Sequence, residues 1–441
     1  MNIILLSGGS GKRLWPLSND IRSKQFLKLF KNRDGSYESM IQRVYKQLNN
    51  VGISTHVTVA TSKKQLSEIY DQLGSNVDVC VEPVRKDTFP AIALSAAYLV
   101  EKNGVRPTEA VVVCPVDPLV TSDYFRALIA LQYQAENGNA NIVLMGIVPT
   151  HNADKYGYII PDGDKKLAMV KTFKEKPNRD EAKQFIEQGA LWNGGVFAMK
   201  LQYILDKAEE LLGYSKYQDL LDHYLEFEEQ SFDCAVVEKE LNCQVMKFTG
   251  EWADMGTWNT LSKAISDPVI GKGVIDDTST DVQILNEMDV PILAMGLHDV
   301  VISASPDGIL VSDKETSTFI KPFVDEFDEK VRFAEKSWGT FKVLDIESGS
   351  MTLKVTLNRG NSMNYHSHKN RDEIWIVISG EGTATLDGRR SNVKKGDIIT
   401  MRAGCKHTIT ASKELKLIEL QLGEEIREDD KQKFDLPEAQ K

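Results

Sequence analysis

Residues 2–14 read NIILLSGGSGKRL, so a short apolar run passes directly into glycines and then into two cations. An unbroken run of this length, rich in Ile and Leu, is typical of a buried β-strand. Glycines after such a strand let backbone N–H groups approach phosphate oxygens, and Arg13 would add a guanidinium clamp. No Gly-Lys-Ser/Thr closes the loop, so it is not a Walker loop. The stretch predicts a phosphate-binding turn, with a ligand-free tight turn as the alternative.

The same strand signal recurs through residues 1–262. Strands are expected at 2–6, 57–60, 77–81, 110–114 and 142–147. Helical patterns lie between them, as at 90–102, where apolar residues recur at three- and four-residue spacing. This βαβ rhythm predicts an α/β fold with a Rossmann-like, doubly wound, mainly parallel mixed sheet. Ligands bind beyond the carboxyl ends of such strands, so the loops at Ser7, Glu82 and Pro115 are expected to carry the chemistry.

The pattern of apolar and turn-forming residues changes after Leu261. Short apolar segments separated by Gly, Asp and Pro predict a β-rich connector over residues 263–330. Closely spaced strands with Gly-rich turns then predict a small β-barrel over residues 331–441. The charged tail, residues 424–441, is expected to fray.

Composition excludes several classes of protein. A chain of 441 residues exceeds the single-core limit of about 250–300 residues, so several domains are expected. The net charge of −11 disfavours a nucleic-acid polymer as partner. Five scattered cysteines without a CxxC pair predict a reducing compartment, taken as the cytoplasm. The sequence contains no uninterrupted 18-residue apolar run, so no membrane-spanning helix is expected. The first residues indicate a strand rather than a signal peptide.

Three of the seven histidines lie within residues 366–407. His366, His368 and Glu373 follow one another in the spacing HxH-x4-E, and His407 comes later in G-x2-H. Alternate residues of a strand share a face, so the first two imidazoles point the same way. Three imidazoles and a carboxylate suit Zn, Fe, Mn or Co. The spacing resembles the cupin motif, which implies that these four residues hold a divalent transition metal inside the barrel.

Two stretches near the start of the chain resemble a known family. Residues 7–18 read SGGSGKRLWPLS, and residues 24–26 read KQF. This opening closely resembles that of mannose-1-phosphate guanylyltransferases, and the resemblance covers nearly the whole chain. It is greatest for the long form, which is fused to a type II phosphomannose isomerase cupin. The resemblance implies that Arg13 and Lys24 hold the triphosphate of GTP together with the glycine loop. The loop residues are Ser7, Gly8, Gly9 and Gly11.

The nucleobase is expected beside Glu82. A carboxylate at the end of a strand can accept hydrogen bonds from the N1–H and exocyclic amino groups of guanine, which would favour GTP. Thr88 is the further nucleotide contact in this segment. Where the family usually has Gly-Arg-Asn-Thr, this chain has Arg85-Lys86-Asp87-Thr88. The alternative role for Asp87 and Thr88 is helix N-capping.

Two aspartates are candidate Mg²⁺ ligands. Asp117 follows the strand 110–114, and Asp254 lies in the stretch WADMGTW. Paired carboxylates beside phosphates suit this hard cation, whereas each aspartate alone would indicate a turn or a cap. The resemblance implies that both hold the Mg²⁺ that bridges the α-phosphate and the sugar phosphate. It assigns binding of the hexose 1-phosphate to four residues: Gly157, Glu175, Lys176 and Asn193.

The resemblance, taken with these signals, implies a mannose-1-phosphate guanylyltransferase that converts GTP and mannose 1-phosphate to GDP-mannose and pyrophosphate. The barrel is expected to add mannose-6-phosphate isomerase activity, with Arg371 as a candidate contact for phosphate or enediolate. The chain is further expected to form a homodimer. One alternative is transfer to another sugar 1-phosphate or from another NTP. Another makes the cupin a non-catalytic sugar-binding or dimerisation module.

Overall fold

The computed structural model describes residues 1–9, 12–19, 21–50, 56–327, 331–424, 426–427 and 430–436. Contacts divide the chain into two compact units. The first comprises Met1–Leu14 and Ser23–Asp267, and the second comprises Trp15–Arg22 and Pro268–Lys441. Within the described ranges, no helix is long and apolar enough to cross a bilayer.

A nine-stranded sheet forms the centre of the first unit. Its strands, in spatial order, are Asp78–Glu82, His56–Ser62, Asn2–Leu6, Ala110–Pro115, Leu191–Lys200, Ile142–Ile147, Cys243–Phe248, Leu167–Lys174 and Tyr158–Pro161. The first four run parallel, and Leu191–Lys200 runs antiparallel to both of its neighbours. The predicted α/β class with a mixed sheet is confirmed. All five predicted strands are present; the bounds of 2–6 and 142–147 match, and the ends of the other three differ by at most two residues.

Helices cover both faces of this sheet. They span Met40–Asn49, Leu66–Leu73, Thr88–Glu101, Ser122–Asn137, Arg179–Glu187, Leu201–Leu212, Tyr217–Asp222, Phe232–Ala235 and Trp258–Ala264. Single 3₁₀ turns lie at Lys12–Leu14, Lys24–Phe26, Tyr224–Glu226 and Val237–Lys239. Neighbouring strand residues face opposite layers: Ile3 and Leu5 pack into one apolar cluster and Ile4 into the other. A strand buried on both faces must be apolar throughout, which explains the unbroken run at the start of the chain.

Two short two-stranded antiparallel sheets lie outside the main sheet. Phe30–Lys31 pairs with Tyr37–Glu38, and Pro118–Val120 pairs with Trp252–Asp254. The second sheet joins segments that are far apart in sequence, and it positions the site described below.

The second unit begins with short strands that mostly pair in parallel. One sheet contains Val269–Ile270, Gln283–Asn286, Val300–Ser305 and Gly308–Asp313, and a smaller one contains Gly273–Ile275 and Ile292–Ala294. A 3₁₀ turn at Thr316–Phe319 and the helix Lys321–Asp325 follow. These elements agree with the predicted β-rich connector.

Residues 15–22 pack within this second unit. The Ser305 hydroxyl donates to the Pro16 carbonyl over 2.6 Å, and Arg22 pairs with Glu287 at 2.8 Å. The Trp15 and Phe327 rings lie 5.2 Å apart. The chain therefore leaves the first unit directly after the glycine loop and re-enters it just before Lys24.

Two antiparallel sheets form the C-terminal barrel. The larger contains Phe333–Lys336, Gly339–Glu347, Ser350–Leu357, Leu415–Leu422, Asp372–Ser379 and Ile398–Met401. The smaller contains Arg389–Lys394, Glu381–Leu386, His407–Ala411, His366–His368 and Lys431–Lys433. The expectation of a frayed tail is wrong for Lys431–Lys433, because these residues pair with His366–His368 as a strand. Residues 437–441 lie outside the described part of the chain.

Candidate active sites

The two candidate Mg²⁺ ligands are neighbours in the first unit. Asp117 follows the strand Ala110–Pro115, while Asp254 ends the strand Trp252–Asp254. The short two-stranded sheet pairs Asp254 with Pro118, the residue next to Asp117. Segments separated by more than a hundred residues thus deliver two carboxylates to the edge of the sheet where ligands are expected.

A partly buried lysine bridges these carboxylates. Lys24 Nζ contacts Asp117 directly and lies 3.9 Å from Asp254 Oδ1. Burial alone would lower the pKa of Lys24, but the two carboxylates outweigh it and the pKa is raised. Burial opposes ionisation of Asp254, yet Lys24, Lys155 and Arg13 together hold the pKa of that carboxyl below its usual range. Lys24 and Asp254 are therefore both ionised at neutral pH.

The chemistry of this cluster fits a hard divalent cation. Carboxylate oxygens are the ligands that Mg²⁺ takes in proteins. A Cβ at Gly256 would lie 2.9 Å from Asp254 Oδ1 and 3.2 Å from Lys24 Nζ, so the absence of a side chain there keeps the space open. Asp117 and Asp254 are the residues that would hold the ion.

Ordered backbone contacts hold the glycine loop in place. The Ser7 amide donates to the Ala60 carbonyl over 2.9 Å, and the Ser23 hydroxyl donates to the Gly9 carbonyl over 2.9 Å. Gly9 has φ of +111°, a conformation that favours glycine. Gly8 is exposed, whereas Ser7 is fully buried, so the backbone of the loop is the part presented to a ligand. Gly11 lies outside the described residues.

Arg13 is exposed at the end of this loop, in the 3₁₀ turn Lys12–Leu14. Its charge acts on both Lys24 and Asp254, which places it beside the carboxylate cluster. An exposed guanidinium at this position can reach a phosphate entering above the loop.

The predicted nucleobase residues make contacts within the protein. Glu82 is 7% exposed, and the Tyr224 hydroxyl donates to its Oε2 over 2.9 Å. Burial raises the pKa of Glu82. The Thr88 hydroxyl accepts from the Phe232 amide at 2.8 Å, and the Asp87 side chain caps the helix by accepting from the Thr88 amide. Guanine recognition by Glu82 and Thr88 stays a prediction, and the capping role belongs to Asp87.

Of the four residues expected to bind the hexose 1-phosphate, Gly157, Glu175 and Asn193 lie close together. A Cβ at Gly157 would lie 2.5 Å from Glu175 Oε2 and 3.2 Å from the Cβ of Asn193. Glu175 Oε2 is buried without a hydrogen-bond partner among the described residues, as expected of an acceptor that serves a ligand. Lys176 Nζ lies 2.9 Å from Glu175 Oε1, and its side chain is 61% exposed.

Sequence reasoning missed two charged residues at this site. Asp233 Oδ1 accepts from Asn193 Nδ2 at 2.6 Å, and burial followed by the charge of Glu175 raises the pKa of Asp233 to about 7. Lys155 Nζ lies 3.6 Å from Asp254 Oδ2. Neither residue stands in a motif the sequence analysis singled out, so only the folded chain reveals their positions.

The second cluster lies inside the barrel. The side chains of His366, His368, Glu373 and His407 are buried, and each offers one ligand atom within 4.8 Å of the others. His366 pairs in register with His407 across two strands. The predicted metal ligands are thus gathered in one place.

Hydrogen bonds set the imidazoles for metal binding. His366 Nδ1 lies 2.6 Å from the Asn364 carbonyl and His407 Nδ1 lies 3.0 Å from the Cys405 carbonyl, so each Nδ1–H donates outward. This leaves the Nε2 lone pairs directed inward, as in metal-binding histidines. His407 Nε2 is 3.0 Å from Glu373 Oε2 yet has no partner with hydrogen-bond geometry in the described part of the chain. With no proton between them, His407 Nε2 and Glu373 Oε2 are two adjacent acceptors, an arrangement that suits a bound cation.

The charge states agree with this arrangement. Burial lowers the pKa of His366 to about 2 and also lowers that of His368, so both are neutral ligands. Burial opposes ionisation of Glu373, but its contact with the His368 imidazole holds the pKa of the Glu373 carboxyl below the usual range. Arg371 Nε donates to Glu373 Oε1 over 3.1 Å and its Nη1 donates to the Arg427 carbonyl over 2.9 Å. Arg371 therefore orients a predicted ligand, and a role toward substrate stays a prediction.

Comparisons with known proteins bear on both sites. Residues 2–268 match the family model for nucleotidyl transferase, and residues 325–436 match the model for the mannose-6-phosphate isomerase C-terminal domain. Both kinds of domain generally use divalent metals, in keeping with the two clusters.

Curated relatives align over nearly the full length. A mannose-1-phosphate guanylyltransferase of Salmonella montevideo is 28% identical, with 98% of each chain covered. One of Escherichia coli K12 is 26% identical, with 98% of this chain and 97% of the relative covered. A crystal structure from Thermus thermophilus, described as a mannose-1-phosphate geranyltransferase, is 26% identical with a TM-score of 0.63 and covers 74% of this chain and 99% of its own. The chain belongs to the nucleotidyl transferase family, with a mannose-6-phosphate isomerase C-terminal domain in the same polypeptide.

Proposed function

We propose that the chain is a mannose-1-phosphate guanylyltransferase that forms GDP-mannose and pyrophosphate from GTP and mannose 1-phosphate. The observation that carries the proposal is the pairing of the strands Pro118–Val120 and Trp252–Asp254, which brings Asp117 and Asp254 together with Lys24 between them. The full-length relatives of that name support the substrates and do not favour another sugar phosphate or NTP.

The chemistry needs position and charge rather than a covalent intermediate. An oxygen of the sugar phosphate attacks the α-phosphorus in line, and pyrophosphate leaves. Arg13 and Lys24 neutralise the triphosphate, while Glu175 and Asn193 accept and donate hydrogen bonds to sugar hydroxyls. Mg²⁺, held by Asp117 and Asp254, supplies further positive charge at the phosphate oxygens when bound.

The proposal is tested by measuring pyrophosphate release against a matrix of NTPs and sugar 1-phosphates. GTP with mannose 1-phosphate should give the highest kcat/KM. Asp117→Ala and Asp254→Ala should each lower turnover at least about a hundredfold, as loss of charge stabilisation at a transition state does. Asp164→Ala is the matched control, since that side chain is 94% exposed and pairs with Lys247 on the surface. Near-normal turnover in either site variant would contradict the assignment.

We also propose mannose-6-phosphate isomerase activity in the barrel, supported by the convergence of the four buried ligand residues. A metal held by His366, His368, Glu373 and His407 would orient the open-chain sugar phosphate while a proton moves between C1 and C2. Full-length protein should convert mannose 6-phosphate to fructose 6-phosphate, lose this activity on chelation, and regain it with one of Zn, Fe, Mn or Co. A metal-loaded protein that leaves mannose 6-phosphate unchanged would support a non-catalytic barrel.

Three further points complete the proposal. We infer a division into 1–262, 263–330 and 331–441, a homodimer, and a cytoplasmic location. Sedimentation of the full chain tests the homodimer, and fractionation of cells that express it tests the location. Limited proteolysis that cleaves near residue 330 would support the second boundary.

A further inference from the structure

Lys155 lies beside the transferase carboxylates although no sequence signal singled it out. Its Nζ is 3.6 Å from Asp254 Oδ2, while Lys24 Nζ is 3.9 Å from Oδ1 of the same carboxylate. Two ammonium groups therefore flank Asp254, one at each oxygen.

The path of the Lys155 side chain is set by an aromatic wall. Its Nζ lies 4.8 Å from the centre of the Tyr156 ring. That ring packs against Trp192 at 4.8 Å and Trp252 at 5.4 Å. An ammonium over an aromatic face is attracted by the ring quadrupole, and this side chain is only 28% exposed. Lys155 is thus held toward the site rather than extended into solvent.

Lys155 also connects the two halves of the proposed substrate site. It stands two residues before Gly157, whose Cα adjoins Glu175 and Asn193 at the sugar end. Its ammonium reaches Asp254 at the metal end. The phosphate of a sugar 1-phosphate must lie between these ends, because it joins the sugar ring to the reacting α-phosphorus.

Lys176 is the lysine among the four residues expected to bind the hexose 1-phosphate, and it lies at the sugar end of the site. Its Nζ is 2.9 Å from Glu175 Oε1, and the Asp233 carboxyl also acts on its charge. Both carboxyls belong to the sugar end. Asp117 and Asp254, the groups that mark the reacting phosphates, have Lys24 and Lys155 as their lysine partners.

We propose that Lys155 is a catalytic residue that binds the phosphate of the sugar 1-phosphate and neutralises it during transfer. The inference rests on the proposed guanylyltransferase function. In the step, an ionised phosphate oxygen forms the new bond to the α-phosphorus as the bond from that atom to the bridging oxygen breaks. The electron pair leaves with pyrophosphate, and no proton has to be removed from the attacking group. When the sugar phosphate binds, the Lys155 ammonium leaves Asp254 and pairs with the phosphate. Lys155 therefore contributes to substrate binding and transfer only when the sugar phosphate is present.

The test compares Lys155→Met and Lys155→Arg with the control Lys165→Met, which removes an exposed lysine of a surface loop. Steady-state pyrophosphate release is measured with GTP and mannose 1-phosphate varied separately. Lys155→Met should raise the KM for mannose 1-phosphate about tenfold or more, as loss of a charge-assisted hydrogen bond does, with the KM for GTP within about twofold. Lys155→Arg should keep most of the activity, and the control should match wild type.

Other outcomes separate the inference from the function on which it rests. Wild-type protein without turnover would refute the guanylyltransferase function itself. An active wild type and a Lys155→Met variant with an unchanged KM for mannose 1-phosphate would refute the role of Lys155 alone. A Lys155→Met variant that changes only the Mg²⁺ concentration needed for turnover would show that Lys155 serves Asp254 and not the phosphate. The melting temperature of each variant shows whether the fold is intact.

Discussion

Replacing Gly157 with alanine puts a methyl group where the first unit has no room. The added Cβ would lie 2.5 Å from Glu175 Oε2, about 0.9 Å short of the 3.4 Å of an ordinary contact, and 3.2 Å from both Asn193 Cβ and Phe173 Cζ. Phe173 and Asn193 are packed side chains, so the Glu175 carboxylate has to move by most of that difference. A displacement of about 1 Å at a substrate-positioning group can cost about a hundredfold in rate.

We therefore expect Gly157→Ala to lower kcat/KM for mannose 1-phosphate by about a hundredfold. The loss should appear when mannose 1-phosphate is varied at saturating GTP, and the KM for GTP should change little, because Gly157 is far from the glycine loop in sequence and belongs to the sugar end. Overpacking of this kind also costs about 1–3 kcal/mol of stability, so the melting temperature should fall modestly.

A double-mutant cycle identifies the cause. Glu175→Asp retracts the carboxylate by one methylene, which makes space for the new methyl group. The effects of Gly157→Ala and Glu175→Asp should therefore be less than additive, as for residues in contact. Fully additive effects, or a Gly157→Ala variant with the wild-type KM for mannose 1-phosphate, would refute the close approach of these two residues in the active protein.

Three further outcomes are expected. Lys24→Met should bind Mg²⁺ more tightly than wild type in the absence of nucleotide, because the ammonium that competes for Asp117 and Asp254 is removed; calorimetric titration measures this, and weaker binding would contradict it. Glu373→Gln should purify with less than about a tenth of the wild-type metal content by elemental analysis, since one anionic ligand of the barrel cluster is lost, and an unchanged content would contradict the ligand role. The pKa of Asp233 is raised to about 7 from 3.8, so its protonated form stabilises the fold at low pH and that stabilisation is lost as the pH rises toward 7. The melting temperature of Asp233→Asn should therefore rise relative to that of wild type between about pH 4 and pH 7. A difference in melting temperature that does not change with pH would contradict this expectation.

The sequence predicted those features that repeat or that lie close together along the chain. The apolar runs gave the strands, because a strand covered on both faces leaves no place for polar residues. The spacing of His366, His368 and Glu373 likewise placed three potential ligands on two consecutive strands. The approach of Asp117 to Asp254 followed from the resemblance alone, since the pairing of the strands Pro118–Val120 and Trp252–Asp254 has no local sequence signal.

The remaining features depend on tertiary contacts that no pattern encodes. Lys155 and Asp233 reach the site from loop and helical segments whose composition is ordinary. Glu82 was expected to be open to a base, but Tyr224, which lies 142 residues away in sequence, occupies one of its oxygens. The antiparallel direction of Leu191–Lys200 and the pairing of Lys431–Lys433 were likewise not predicted, because strand direction and partner are set by packing.

The excursion of residues 15–22 into the second unit means that the polypeptide crosses between the units three times. A cut after residue 267 would therefore leave one segment of the second unit covalently attached to the first. If residues 1–267 were expressed alone, Trp15 would lose its ring contact with Phe327, and Arg22 would lose its ion pair with Glu287. Two of the crossings lie between Arg13 and Lys24 in the sequence, so each proposed triphosphate-binding cation is within two residues of a crossing of the chain. A stand-alone transferase made from this chain would need a new linker in place of residues 15–22, whereas domains that are simply joined end to end need no such replacement.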